Sequence, residues 1–141
     1  MYEPIRAKAV HSTTAADFPH RSREEELDIQ LAGHLAALLA VTDELRALAP
    51  SPDLDAAAER LAGQVTRLRG GRPPARAASA EGTAPPDRAA TRAPALHRRA
   101  HTLAGRALVV AASRADTAAA ILAAERMDAH TALAGRALTA G

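Results

Sequence analysis

The chain has 141 residues, enough for one domain or two small halves, and no cysteine, which excludes disulfides and thiolate metal sites. Of its 48% hydrophobic residues most are small: 39 Ala stand against 16 Leu, with one Phe, one Tyr and no Trp. The formal net charge of +2 is too near balance to imply a polyanionic partner by itself.

Alanine is the best helix former and strand formers are scarce, so the composition predicts an all-α protein. Alanine also buries little area, at about 25 cal/mol per Å². A core this thin calls for help, and without disulfides self-association is the expected aid. All of the 18 basic residues except Lys8 are Arg. Together with the Ala, Gly and Pro content, that is also how a high-GC bacterial genome writes any protein. The charge is uneven, with eight acids and five bases over residues 1–50 but two acids and six bases over residues 71–99.

Residues 1–21 show no sustained period and read as a flexible arm. They contain no continuous apolar run, so neither a signal peptide nor a membrane anchor is expected there. No stretch reaches the roughly 18 apolar residues of a membrane span. The expectation is a cytoplasmic protein with no membrane partner.

A first helix starts at a capping box, Ser22–Glu25, followed by Glu26 and Asp28 at the positive end of the helix dipole. Leu27, Leu31, His34, Leu38, Val41, Leu45 and Leu48 step 4-3-4-3-4-3, a coiled-coil-like seam that Leu35 and Leu39 widen toward a bundle. Pro50 ends the helix, and Ser51 with Pro52 starts a second, carrying Leu54, Ala58, Leu61, Val65 and Leu68 to a stop at Gly70 and Gly71. Residues 22–70 thus form an antiparallel helical hairpin. Residues 71–94, with five of the nine prolines, read as a disordered Pro/Gly/Arg-rich linker. Residues 95–141 form a further helical segment, with Leu96, Ala100, Leu103, Ala107 and Val110 on one face. Ser113 or Asp116 can cap a fourth helix, or one long helix can continue through.

A repeat favours the turn. "LAGRAL" occurs at Leu103–Leu108 and again at Leu133–Leu138, and "LAG" at Leu31–Gly33 and Leu61–Gly63. Thirty positions on one straight helix is about 120° beyond whole turns, so the two copies would face different ways. A second hairpin lets both face one core. The whole then reads as an antiparallel bundle of three or four helices. The four equivalent glycines suggest close helix approach, since each costs about 1 kcal/mol against Ala.

Motifs for catalysis are missing: no Cys nucleophile, no Gly-x-Ser-x-Gly elbow, no phosphate-binding loop and no dinucleotide fingerprint. His97 and His101 are four apart, but "HRRAH" lacks the Glu of the zinc-protease helix, and Arg98 and Arg99 disfavour a cation. No cofactor and no metal ligand is therefore assigned. "RGGRP", Arg69 to Pro73, resembles the AT-hook, a short Arg-Gly-Arg-Pro element that enters the minor groove of A·T-rich DNA, with one extra Gly. The resemblance implies nucleic-acid contact by Arg69 and Arg72; Arg76, in the same basic stretch, is read with them, and Arg88, Arg92, Arg98 and Arg99 would add phosphate contacts.

The sequence therefore predicts a non-enzymatic helical interaction or regulatory protein that self-associates or binds another protein. The assembly seam is Leu31, His34, Leu38, Val41, Leu45, Leu61, Val65, Leu103 and Val110. A small DNA-associated protein using the Arg linker, and a His-based metal or small-ligand binder, are the alternatives.

Overall fold

The computed structural model describes residues 21–76 and 85–140, the last five by their backbone alone. The arm over 1–20 and the linker over 77–84 lie outside the described residues. Among the described residues there are four helices and no strand: α1 Arg23–Leu48, α2 Pro52–Leu68, α3 Pro86–Arg114 and α4 Thr117–Ala140. None is long and apolar enough to cross a membrane.

Local chemistry sets the ends. The Ser22 hydroxyl accepts from the Glu25 N–H at 3.1 Å, and the Ser22 N–H donates to Glu25 Oε1 at 2.7 Å, closing the capping box. Ser51 caps α2 through the Leu54 N–H at 3.1 Å, with Pro52 next in line. The α2 stop is a Schellman turn. The Gly71 N–H reaches Thr66 O at 2.8 Å, the Gly70 N–H reaches Arg67 O at 3.3 Å, and both glycines have positive φ. α3 ends the same way, with the Asp116 N–H on Ala111 O at 2.8 Å, but the left-handed residue is Ala115 at φ 58°. Asp116 then caps α4 by accepting from the Ala119 N–H at 3.1 Å. Residues 95–140 are therefore a hairpin, turning inside the Ser113–Asp116 window.

The start of α3 differs from the sequence reading. The linker was expected to run to residue 94, but the helix begins at Pro86. Pro86 fits the first turn, where its missing N–H has no partner to lose. Pro94 removes one interior hydrogen bond. Packing compensates: Ala89 and Ala93 lie against the core and Arg92 reaches Glu44 on α1 at 3.4 Å.

α1 packs on α2 and α3, and α4 packs on α3 and touches α2. Ion pairs fix the directions. Asp28–Arg114 at 3.1 Å and Glu44–Arg92 set α1 antiparallel to α3. Asp53–Arg126 at 3.2 Å and Arg67–Asp116 at 2.8 Å set α2 antiparallel to α4. α2 and α3 thus run the same way. The stretch after α2, up to residue 76, is held at Arg76, which donates to Asp43 on α1 at 2.8 and 2.9 Å, and by the burial of Pro74. Burial would raise the Asp43 carboxyl, but the bonds from Arg76 and Arg46 outweigh it and hold the group below its usual value.

The core is leucine-rich on one side and alanine-rich on the other. Leu31, Leu35, Leu38, Leu39 and Leu45 of α1 meet Leu61 and Val65 of α2, all no more than 1% exposed. α3 and α4 contribute Ala100, Ala104, Ala107, Ala111, Ala119 and Ala123, all fully buried. Small side chains let these helices approach closely, so alanine does what the repeated glycines were expected to do. The glycines face outward: a Cβ at Gly33, Gly63 or Gly135 would meet nothing within 4 Å, and one at Gly105 only the flexible tip of Met127 at 3.7 Å.

Candidate functional site

The predicted assembly seam lies inside this chain. Leu31, Leu38, Val41, Leu45, Leu61, Val65 and Leu103 are no more than 7% exposed, buried against neighbouring helices of the same molecule. His34 and Val110 are half-buried at its edges. These side chains are not free to meet a second copy, which would have to pack on another surface.

The interior holds one polar cluster that the spacing of His97 and His101 did not reveal. α3 and α4 run antiparallel, so His97 faces His130, with the two Nδ1 atoms 2.9 Å apart. The rings are tilted at 41° with centroids 5.1 Å apart. One turn before His130, Arg126 is 3% exposed and donates from Nη2 to His130 Nε2 at 3.4 Å. Its Nη1 reaches both carboxylate oxygens of Asp53, in the first turn of α2, at 3.3 and 3.2 Å. Arg126 Nε is buried without a partner.

This arrangement fixes the protons. Guanidinium groups only donate, so His130 Nε2 accepts and the ring carries its proton on Nδ1. That Nδ1–H donates to His97 Nδ1, which leaves the His97 proton on Nε2. Burial first, then the Arg126 cation, then His97 push His130 down to about 3. Burial and Arg126 also lower His97. Both rings are neutral at pH 7, and charging either one opposes Arg126. The Nδ1 atoms hold each other. Among the described residues no group of three or more His, Cys, Asp or Glu is placed to hold a metal ion.

The three arginines assigned to nucleic-acid contact have different surroundings. Arg69 is the half-buried C-cap of α2. Arg72 turns back to the Arg69 carbonyl at 3.4 Å. Arg76 is taken up by Asp43, with Glu59 at 3.9 Å. The "RGGRP" stretch is a helix-ending turn.

The exposed charge is concentrated on α3, which carries six arginines and one acid, Asp87. Arg92 and Arg114 are paired with α1. Arg88, Arg98, Arg99 and Arg106 are exposed and in no ion pair among the described residues. The sequence reading listed the first three of these as possible phosphate contacts but missed Arg106, because it weighed the linker and not the helix face. At 100° per residue, Arg88 and Arg106 share one azimuth and Arg99 lies about 20° from it. No protein-family model, curated protein or solved structure matches the chain.

Proposed function

We propose that the chain is a non-enzymatic helical interaction protein whose working surface is the outer face of α3. The observation that supports this reading is the charge imbalance of that helix: against one acid it carries four exposed arginines in no ion pair among the described residues, the largest such group on any one helix. Unpaired charge on one face attracts a complementary partner and speeds its encounter. The His97–His130 cluster is sealed, with His130 at 0% and His97 at 8% exposure, which suits a role in holding the fold.

Retention on immobilised heparin tests the reading. Wild type is retained at ~50 mM salt, and the triple variant Arg88→Gln/Arg99→Gln/Arg106→Gln elutes earlier. Gln keeps helix propensity near that of Arg, so the fold survives the change. A wild-type protein that washes through, or a variant that elutes with it, refutes the reading.

Self-association is a second reading, favoured by the exposure of Ile29, Val109 and Ile121 at 50%, 67% and 52%. Sedimentation equilibrium decides it, and a monomer mass at every concentration overturns it.

A further inference from the structure

We infer that the outer face of α3 docks along the phosphate backbone of double-stranded DNA through Arg88, Arg99 and Arg106. The inference rests on the reading of α3 as the interaction surface and names its partner class.

Geometry comes first. At 1.5 Å per residue the three side chains leave the helix about 16.5 and 10.5 Å apart, along about 27 Å of α3. Such a row matches a long, rigid, regularly charged rod. Duplex DNA carries a phosphate about every 3.4 Å of axis on each strand, so a row of this length spans several phosphates. The planar guanidinium fork pairs with two phosphate oxygens at once. Between the arginines the face presents Ala95 and Thr102, both exposed and small, so nothing holds the backbone away from a flat approach.

The rest of the face argues against other polyanions. It has no aromatic residue on which single-stranded bases could stack. Val109 is the one large apolar side chain exposed on α3, too little to anchor a helix in a bilayer. α3 is flanked by α1 and α4, so it lies on the backbone and does not sink into a groove, and binding is independent of base sequence.

Fluorescence anisotropy with a labelled mixed-sequence duplex of about two helical turns tests this on the full chain. Three phosphate contacts give a salt slope near −2.7, so affinity falls about 40-fold between 50 and 200 mM NaCl. Arg88→Gln/Arg99→Gln/Arg106→Gln loses at least about tenfold at 50 mM and most of its salt dependence. Arg69→Gln/Arg72→Gln binds as wild type. Binding to heparin without binding to duplex overturns this inference and leaves the reading of α3 intact. Failure on both overturns the two together. Equal affinity for the single strand, binding only to phosphatidylserine-containing vesicles, or loss of binding in Arg69→Gln/Arg72→Gln instead, also overturns it.

Discussion

Acid should loosen this fold through its buried histidine pair. His130 is fully buried, accepts from Arg126 and donates to His97. The groups that face it are His97 on α3, Arg126 on its own helix and Asp53 on α2, with His101 farther off. Its folded value lies far below the ordinary 6.5, so the unfolded chain binds the proton first. Stability from this group is complete above the unfolded value and declines as pH falls below 6.5, down to the folded value near 3. Each pH unit within that window costs about 1.4 kcal/mol, so pH 5 costs about 2 kcal/mol. His97, also lowered, adds in the same direction. With an unfolding entropy of about 2.1 cal/mol/K per residue over the 112 described residues, the melting temperature falls by about 9 °C. Asp43 and Asp116 are held below the ordinary aspartate value by their arginine partners, so their contributions are still present at pH 5 and are lost only in stronger acid. Urea unfolding of wild type and His130→Leu at pH 8, 6.5 and 5 is the assay. The variant should lose most of the pH dependence, whatever its absolute stability. A wild-type stability that is flat from pH 8 to 5, or a variant with the wild-type slope, refutes the reasoning.

Three further outcomes follow from the backbone. Gly33→Ala and Gly63→Ala should each stabilise by about 1 kcal/mol, since an added Cβ meets nothing and helical propensity improves; a lower melting temperature in either contradicts the outward placement. Ala115→Gly should stabilise by about 1 kcal/mol by relieving the left-handed residue at the α3–α4 turn, and a destabilised variant shows that the turn has another conformation. Asp43→Ala should release Arg76 and the stretch that leads to it from α2, so trypsin cleaves after Arg76 faster than in wild type. An unchanged rate shows that the segment is held by other contacts.

Much of the fold was legible because it is written locally. Ser22 with Glu25, Ser51 with Pro52, and Gly70 with Gly71 each fix a helix end within a few residues, and the structure closes the bonds they imply. The seam of α1 needed only its 4-3 spacing. The start of α3 was not legible, because Pro86 and Pro94 look like linker until Ala89 and Ala93 are seen against the core. The histidine pair joins positions 33 apart and depends on the antiparallel register of α3 and α4. A trace was present: Ala119, Leu122, Ala123, Arg126 and His130 share one helical stripe. Arg126 reads as solvent-facing in any sequence, which hides the stripe until Asp53 supplies its counter-ion from α2. The arginine face was obscured in a similar way, because the linker's Arg-Gly-Gly-Arg drew attention to residues that the structure uses for a helix end and a tether.

Amide chemical-shift mapping during titration with a short heparin oligosaccharide tests the central claim most directly. The account predicts that the largest shifts fall on the exposed side of α3, around Arg88, Arg99 and Arg106, with Leu31, Leu61 and the other core positions unmoved. Shifts gathered on residues 69–76, spread evenly over the surface, or missing altogether would contradict it.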